Sequence, residues 1–181
     1  AVFNSEDVLL ISTHGYDGQF YPGTGWIDED GAGAGKGLKV NIPLPPHTGD
    51  DVYSMVVDEV IKPILDRYSP EFLVLQFGVD AHTGDELGIL DLTTESYLKV
   101  LRVVHEIAHK YAGGKLVLTG GGGYDVYNTV KTWFLATVFL TDPSKLSQYS
   151  SYFDKESTRT PERYYEEALY VVDAVKQRFG L

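Results

Sequence analysis

Four short runs of mostly branched apolar residues punctuate the chain: DVLLIST (Asp7–Thr13), LKVNIPL (Leu38–Leu44), FLVLQFG (Phe72–Gly78) and KLVLT (Lys115–Thr119). Three of them are nearly continuous rather than alternating. That is the pattern of strands covered on both faces, and hence of a parallel sheet. Parallel strands require long crossovers, and helical patterns lie between or after the runs. Asp51–Tyr68 ends before Ser69-Pro70, and Thr94–Ala112 is closed by Gly113-Gly114. Val126–Leu140 ends before Asp142-Pro143, and Pro161–Phe179 opens on proline and stops at Gly180. These start and stop signals predict an α/β fold with a mostly parallel sheet flanked by helices.

Two stretches have no such pattern. Gly15–Gly37 is a long glycine-rich connection, and loops of that length inside a domain are often functional. Ser144–Thr160 is polar and serine-rich and reads as a surface loop ahead of the last helix. The 181 residues suffice for one domain with a sizeable core. No apolar run approaches a membrane span, so no membrane partner is expected. A net charge of −11 argues against a nucleic-acid-binding face. With no cysteine, disulfides, thiolate zinc sites and a cysteine nucleophile are excluded; a cytoplasmic protein is the expectation.

Ligands of parallel sheets bind beyond the carboxyl ends of the strands. Here the first run leads into Ser12-Thr13-His14, the third into Gly78-Val79-Asp80 and the fourth into Gly120–Tyr124. A histidine, a carboxylate and a phenol are therefore expected on one rim. Asp80 at a strand end suits a metal ligand, and equally a helix cap or loop brace, a part that Asp85 can also take. His82 tempts as a ligand, but a lone loop histidine is usually solvated. The GGGGY run of Gly120–Tyr124 follows a strand and opens a helix. It permits close backbone approach to a ligand with Tyr124 at the mouth, or an anion site at the helix start, or only a tight turn.

Two louder motifs fare worse. HEIAH (His105–His109) fits the zinc-protease pattern His-Glu-x-x-His. The apolar stripe of its helix runs through Tyr97, Val100, Leu101, Val104, Ile107, Ala108 and Tyr111, leaving His105 and His109 at the edge and Glu106 towards solvent. A crossover helix covers a sheet rather than flooring a cleft, and no third histidine follows. GAGAGKG (Gly31–Gly37) suggests a phosphate loop, but Asp30 and Gly37 stand where the pattern needs Gly and Ser or Thr.

Four segments together resemble the zinc-dependent histone-deacetylase superfamily, most of all its acetoin-utilisation deacetylases. They are ISTHGYDGQFYPGTG (Ile11–Gly25), GAGKGLKVNIPL (Gly33–Leu44), SPEFLVLQFGVDAHTGDELG (Ser69–Gly88) and LTGGGGYDVYNTVKTW (Leu118–Trp133). They occur in family order and span most of residues 3–133. The resemblance implies the carboxy-terminal portion, residues 1–181, of a single arginase/deacetylase-like α/β domain, about half of the family fold. It implies Asp80 as a zinc ligand and Tyr124 as the catalytic tyrosine. It implies Tyr21, Leu87 and the Gly122 backbone along a narrow acyl-lysine tunnel, and Ser12 at a monovalent-cation site taking K+ or Na+. The implied reaction is zinc-dependent (Zn2+) hydrolysis of an acetamide, on acetyl-lysine, an acetylpolyamine or a small acetylated metabolite.

The family's remaining zinc ligands, an Asp-x-His pair, and its general-base histidines belong to a stretch just upstream of the segment matching Ala1–Phe3. None of His14, His47, His82, His105 or His109 matches them. The expectation is a fragment, inactive alone, whose missing amino-terminal half lies in the same or another chain. Two other readings stand beside it: a non-catalytic binding protein of the same fold, and the HEIAH protease.

Overall fold

The computed structural model describes residues 2–181. Strands β1 (Leu10–Gly15) and β2 (Lys39–Leu44) pair in parallel, Leu10 opposite Lys39 and Gly15 opposite Leu44. Strands β3 (Leu73–Gln76) and β4 (Leu116–Thr119) form a second parallel pair, with Val74 opposite Val117. The parallel geometry is as expected, but the single sheet is not: the two pairs share no ladder. The β1 strand also starts later than expected. The Asp7 and Val8 carbonyls accept side-chain bonds from Tyr68 and Lys39 instead of pairing with another strand.

Five helices surround the strands. Helix α1 (Asp50–Val56) continues through a π-helical stretch, Val57–Ile61, into α2 (Lys62–Tyr68). Pro63 has no N–H to offer the preceding turn, and the wider turns come directly before it. Ser69 in the left-handed region, followed by Pro70, ends α2. Helix α3 (Thr94–Tyr111) is capped by the Thr93 hydroxyl and is the crossover from β3 to β4. Asp125 caps α4 (Val126–Thr141), and α5 (Glu162–Phe179) stops at left-handed Gly180. The core gathers β2 (Val40, Ile42, Leu44), α1 with its π turn (Val52, Val56, Val60), Leu101, Leu135 and Val175.

Ser144–Thr160 is not a plain loop. Asp142 caps a three-ten segment, Pro143–Tyr152, and Tyr149 and Tyr152 each pack 4.9 Å from the Phe134 ring. His82, expected in solvent, is buried: its Nδ1 accepts from the Gly84 N–H, which leaves Nε2–H to donate to Asp154. Between β1 and β2 the connection is a series of isolated turns, with one short three-ten turn at Gly33–Gly35. Lys36 there pairs with Asp30, as suits a structural loop rather than a phosphate cradle.

Between the strand pairs lies a cleft of about 920 Å³. Leu9, Ile11 and Thr13 line it from β1 and its approach, Leu73, Leu75 and Phe77 from β3 and its exit, and Tyr97, Val100 and Val104 from α3. The strands bordering it run in the same direction. At their entrances the Tyr68 hydroxyl, just before β3, donates to the Asp7 carbonyl (2.9 Å), just before β1. At their exits Gly15 abuts Ile89. One face of the second pair is also open: Val74 is 65% and Val117 43% exposed. Strands with sequences suited to burial on both faces are thus covered on one.

Candidate active site

Four residues named from the sequence line the cleft at the carboxyl ends of the strands: Ser12, His14, Tyr21 and Asp80. The Ser12 hydroxyl bonds His14 Nδ1 at 3.0 Å, and His14 Nε2 meets the Gly25 carbonyl at 3.0 Å. Burial pushes the His14 pKa down, against the pull of these bonds and of Glu29. The Tyr21 ring is 87% exposed, so nothing in this chain packs it into a wall.

Asp80 follows Val79, whose N–H donates to the Gly122 carbonyl at 2.6 Å. The glycine run and the Asp80 turn are in direct contact: a Cβ on Gly122 would overlap the Asp80 carboxylate. This is the close approach that a side chain would forbid. Burial raises the Asp80 pKa, and the neighbouring negative charge of Asp85 adds to the effect. No cation pairs with this carboxylate among the described residues. A half-buried anion disfavoured by its surroundings fits one position of a metal's ligand set, because a cation beside it reverses the penalty.

The zinc implied by the resemblance therefore finds one suitable donor here and no more. Among the described residues, no group of three or more His, Cys, Asp or Glu side chains is placed to hold a metal ion.

Asp85 braces the rim. Its Oδ2 accepts from the Tyr124 N–H (2.6 Å) and the Asp125 N–H (3.2 Å). Its Oδ1 accepts from Leu87 (2.9 Å) and Gly88 (3.1 Å). Burial works to raise the Asp85 pKa, but these four donors outweigh it and hold the carboxyl below the usual range. Tyr124 and Leu87 do not line the cleft; Asp85 ties their backbones together, with side chains 59% exposed in each case. The candidate residues thus form two groups: Ser12 and Tyr21 on the β1 side, and Asp80, Leu87, Gly122 and Tyr124 on the β3–β4 side.

Comparison with known proteins places the chain in a family. The histone deacetylase domain matches residues 1–140. The chain belongs to the histone deacetylase family. It is 38% identical over 168 residues to a "Probable deacetylase" of Archaeoglobus fulgidus, covering 93% of this chain and 44% of that protein. It is 36% identical over 132 residues to the acetoin utilization protein AcuC of Bacillus subtilis, covering 72% of this chain and 34% of that one. The crystal structure of the HDA15 HD domain superposes over 97% of this chain and 45% of its own, with a TM-score of 0.75 and 29% identity. The histone deacetylase fold is therefore present in part: the chain spans less than half the length of these relatives. Among the described residues, no helix is long and apolar enough to cross a membrane.

Proposed function

We propose that this chain contributes one metal ligand, Asp80, and one oxyanion donor, Tyr124, to a zinc-dependent deacetylase that hydrolyses an acetylated amine. The Asp85 carboxylate carries this reading. It binds the backbone on both sides of the rim and so holds the Tyr124 turn against the Asp80 turn without occupying either side chain.

Bound zinc supplies a Lewis acid that polarises an acetyl carbonyl and acidifies water. The work of this chain's own residues follows from their chemistry. The Asp80 carboxylate is an oxygen donor poised for a cation. The Tyr124 hydroxyl donates a hydrogen bond to the oxygen on which negative charge develops, the moment at which such a bond contributes most. Gly122 presents backbone where a side chain would block approach, and Tyr21 and Leu87 offer apolar surface to the stem of the substrate. Ser12, on the β1 side of the cleft, is the candidate for the monovalent-cation site.

The remaining ligands and the general base belong to the part of the domain outside these residues. The cleft between β1 and β3 is where that part would enter, as a strand parallel to both. It would complete one sheet from the two pairs, bury the apolar lining and arrive at the rim beside Asp80.

The test is Tyr124→Phe in the complete deacetylase. The expected result is a fall in kcat of about 10²–10³, typical for loss of one oxyanion donor, with zinc content intact. Unchanged turnover would remove Tyr124 from the chemistry.

A further inference from the structure

The HEIAH motif has no part in this site, yet its two histidines are not idle on the surface. Helix α3 turns Val100 and Val104 into the cleft, while His105 is half-buried and His109 exposed at the edge of that apolar stripe. Their Nε2 atoms face each other across one helical turn at 3.2 Å. His105 rests edge-on against the Phe139 ring of α4, centroids 5.3 Å apart, which restrains its orientation.

The chain has five histidines, and the other three are engaged elsewhere. His14 bonds Ser12 and Gly25, His47 bonds Asp91, and His82 bonds Asp154 and Gly84. Only His105 and His109 direct ring nitrogens at each other. We propose that His105 and His109 form a bidentate site for a divalent first-row transition-metal ion on the outer edge of α3.

The spacing supports this directly. Metal–imidazole bonds measure about 2.0–2.1 Å. An ion bonded at that length to both nitrogens, which lie 3.2 Å apart, subtends an angle of about 103°, near the tetrahedral value. In the metal-free pair one ring must carry its proton on Nε2 and donate it to the other. Metal binding requires only that this ring move the proton to Nδ1, which makes no hydrogen bond among the described residues. Burial and the neighbouring His109 lower the His105 pKa, against the pull of Glu106, and so favour the neutral form that coordinates metal. Water completes the coordination shell. A protease centre does not result, because among the described residues no third protein ligand joins the pair.

The site is independent of the zinc centre proposed above, since neither histidine lines the Asp80 cleft. The experiment uses the full polypeptide carrying this helix, stripped with chelator and titrated with Cu2+, which heads the affinity order for imidazole sites. Electron paramagnetic resonance counts the nitrogens bound to copper. The expected result is a population with two imidazole nitrogens, absent from the His105→Ala/His109→Ala double variant. Each single variant should bind at this site on the order of 10²-fold more weakly, as for loss of one arm of a linked pair. Identical isotherms and spectra for wild type and double variant would overturn the proposal.

A second measurement needs no variant. Substoichiometric Cu2+ should broaden the imidazole proton signals of His105 and His109 before those of His14, His47 and His82. Uniform broadening of all five would also overturn it.

Discussion

Replacing Asp85 tests the architecture of the rim more sharply than replacing any residue that touches substrate. Its carboxylate accepts four backbone N–H bonds, two short (2.6 and 2.9 Å) and two longer (3.1 and 3.2 Å). A hydrogen bond to a charged group contributes about 1.5–3 kcal/mol net. All four bonds lie at an exposed or half-buried rim; discounted for solvent to about 0.5–1 kcal/mol each, they put the local cost of Asp85→Ala at about 2–4 kcal/mol. At 1.4 kcal/mol per tenfold, amide exchange at Tyr124 and Leu87 should accelerate by about 30- to 700-fold. Exchange in the centre of α3 should not change.

Asp85→Asn sharpens the test. The amide keeps one oxygen and turns an NH2 group towards the other pair of donors, so only one of the two turns, Leu87–Gly88 or Tyr124–Asp125, should loosen strongly. The pH dependence has a definite sign. Because the folded Asp85 pKa is depressed, its contribution is present above the unfolded value of about 3.9. It is lost as pH falls through the folded value. Amide exchange at Tyr124 in Asp85→Ala that matches wild type at neutral pH would refute the brace.

Gly122→Ala should push a methyl group into the Asp80 carboxylate and weaken zinc binding by the complete protein by about 10- to 100-fold; equilibrium dialysis with metal analysis reads this, and unchanged affinity refutes the contact. Asp154→Ala should cost about 3–5 kcal/mol in denaturant unfolding, because it strands Lys131 and His82, both buried, without their anion. Burial alone would raise the Asp154 pKa, but His82, Lys131 and the Thr94 N–H lower it. The wild-type contribution should therefore persist above about pH 3.9 and fade in stronger acid. The isolated 181 residues, with the cleft lining and the Val74–Val117 face uncovered, should associate in light scattering; a monodisperse monomer would count against the cleft as a docking surface.

The features legible in the sequence were those carried by local periodicity. The apolar runs marked the four strands, and the apolar stripe of α3 put Glu106 in solvent and both histidines at an edge, as found. The break between β1 and β3 was not legible as a gap, because a run suited to burial on both faces reads the same whether or not its second cover is present. His82 was misread because its partner, Asp154, is 72 positions away, beyond the reach of any local pattern. Ser144–Thr160 was misread because its serines suggested a loop. The signal for order was there in Asp142-Pro143, a cap and a helix starter, followed by Leu146, Tyr149 and Tyr152 at three-residue spacing. At the rim, residue identities came from resemblance to a family. The bracing role of Asp85 depended on two donors, Tyr124 and Asp125, that lie 39 and 40 positions from it, and only its aptitude for a structural part could be read in advance.

The family match ends at residue 140, but the molecule's own seams do not. Asp50 and Asp51, at the start of α1, receive Thr158 and Thr160 from more than a hundred positions downstream. Arg178 reaches back to Asp30, and Arg67 grips the carbonyls of Phe179 and Gly180. The tail is therefore a buckle that fastens the first helix. An expression boundary drawn where the family signature stops would strip buried Asp50 of its Thr158 donors, leaving it Thr93 and Ser96 alone, and would uncover the part of β2 against which α5 packs.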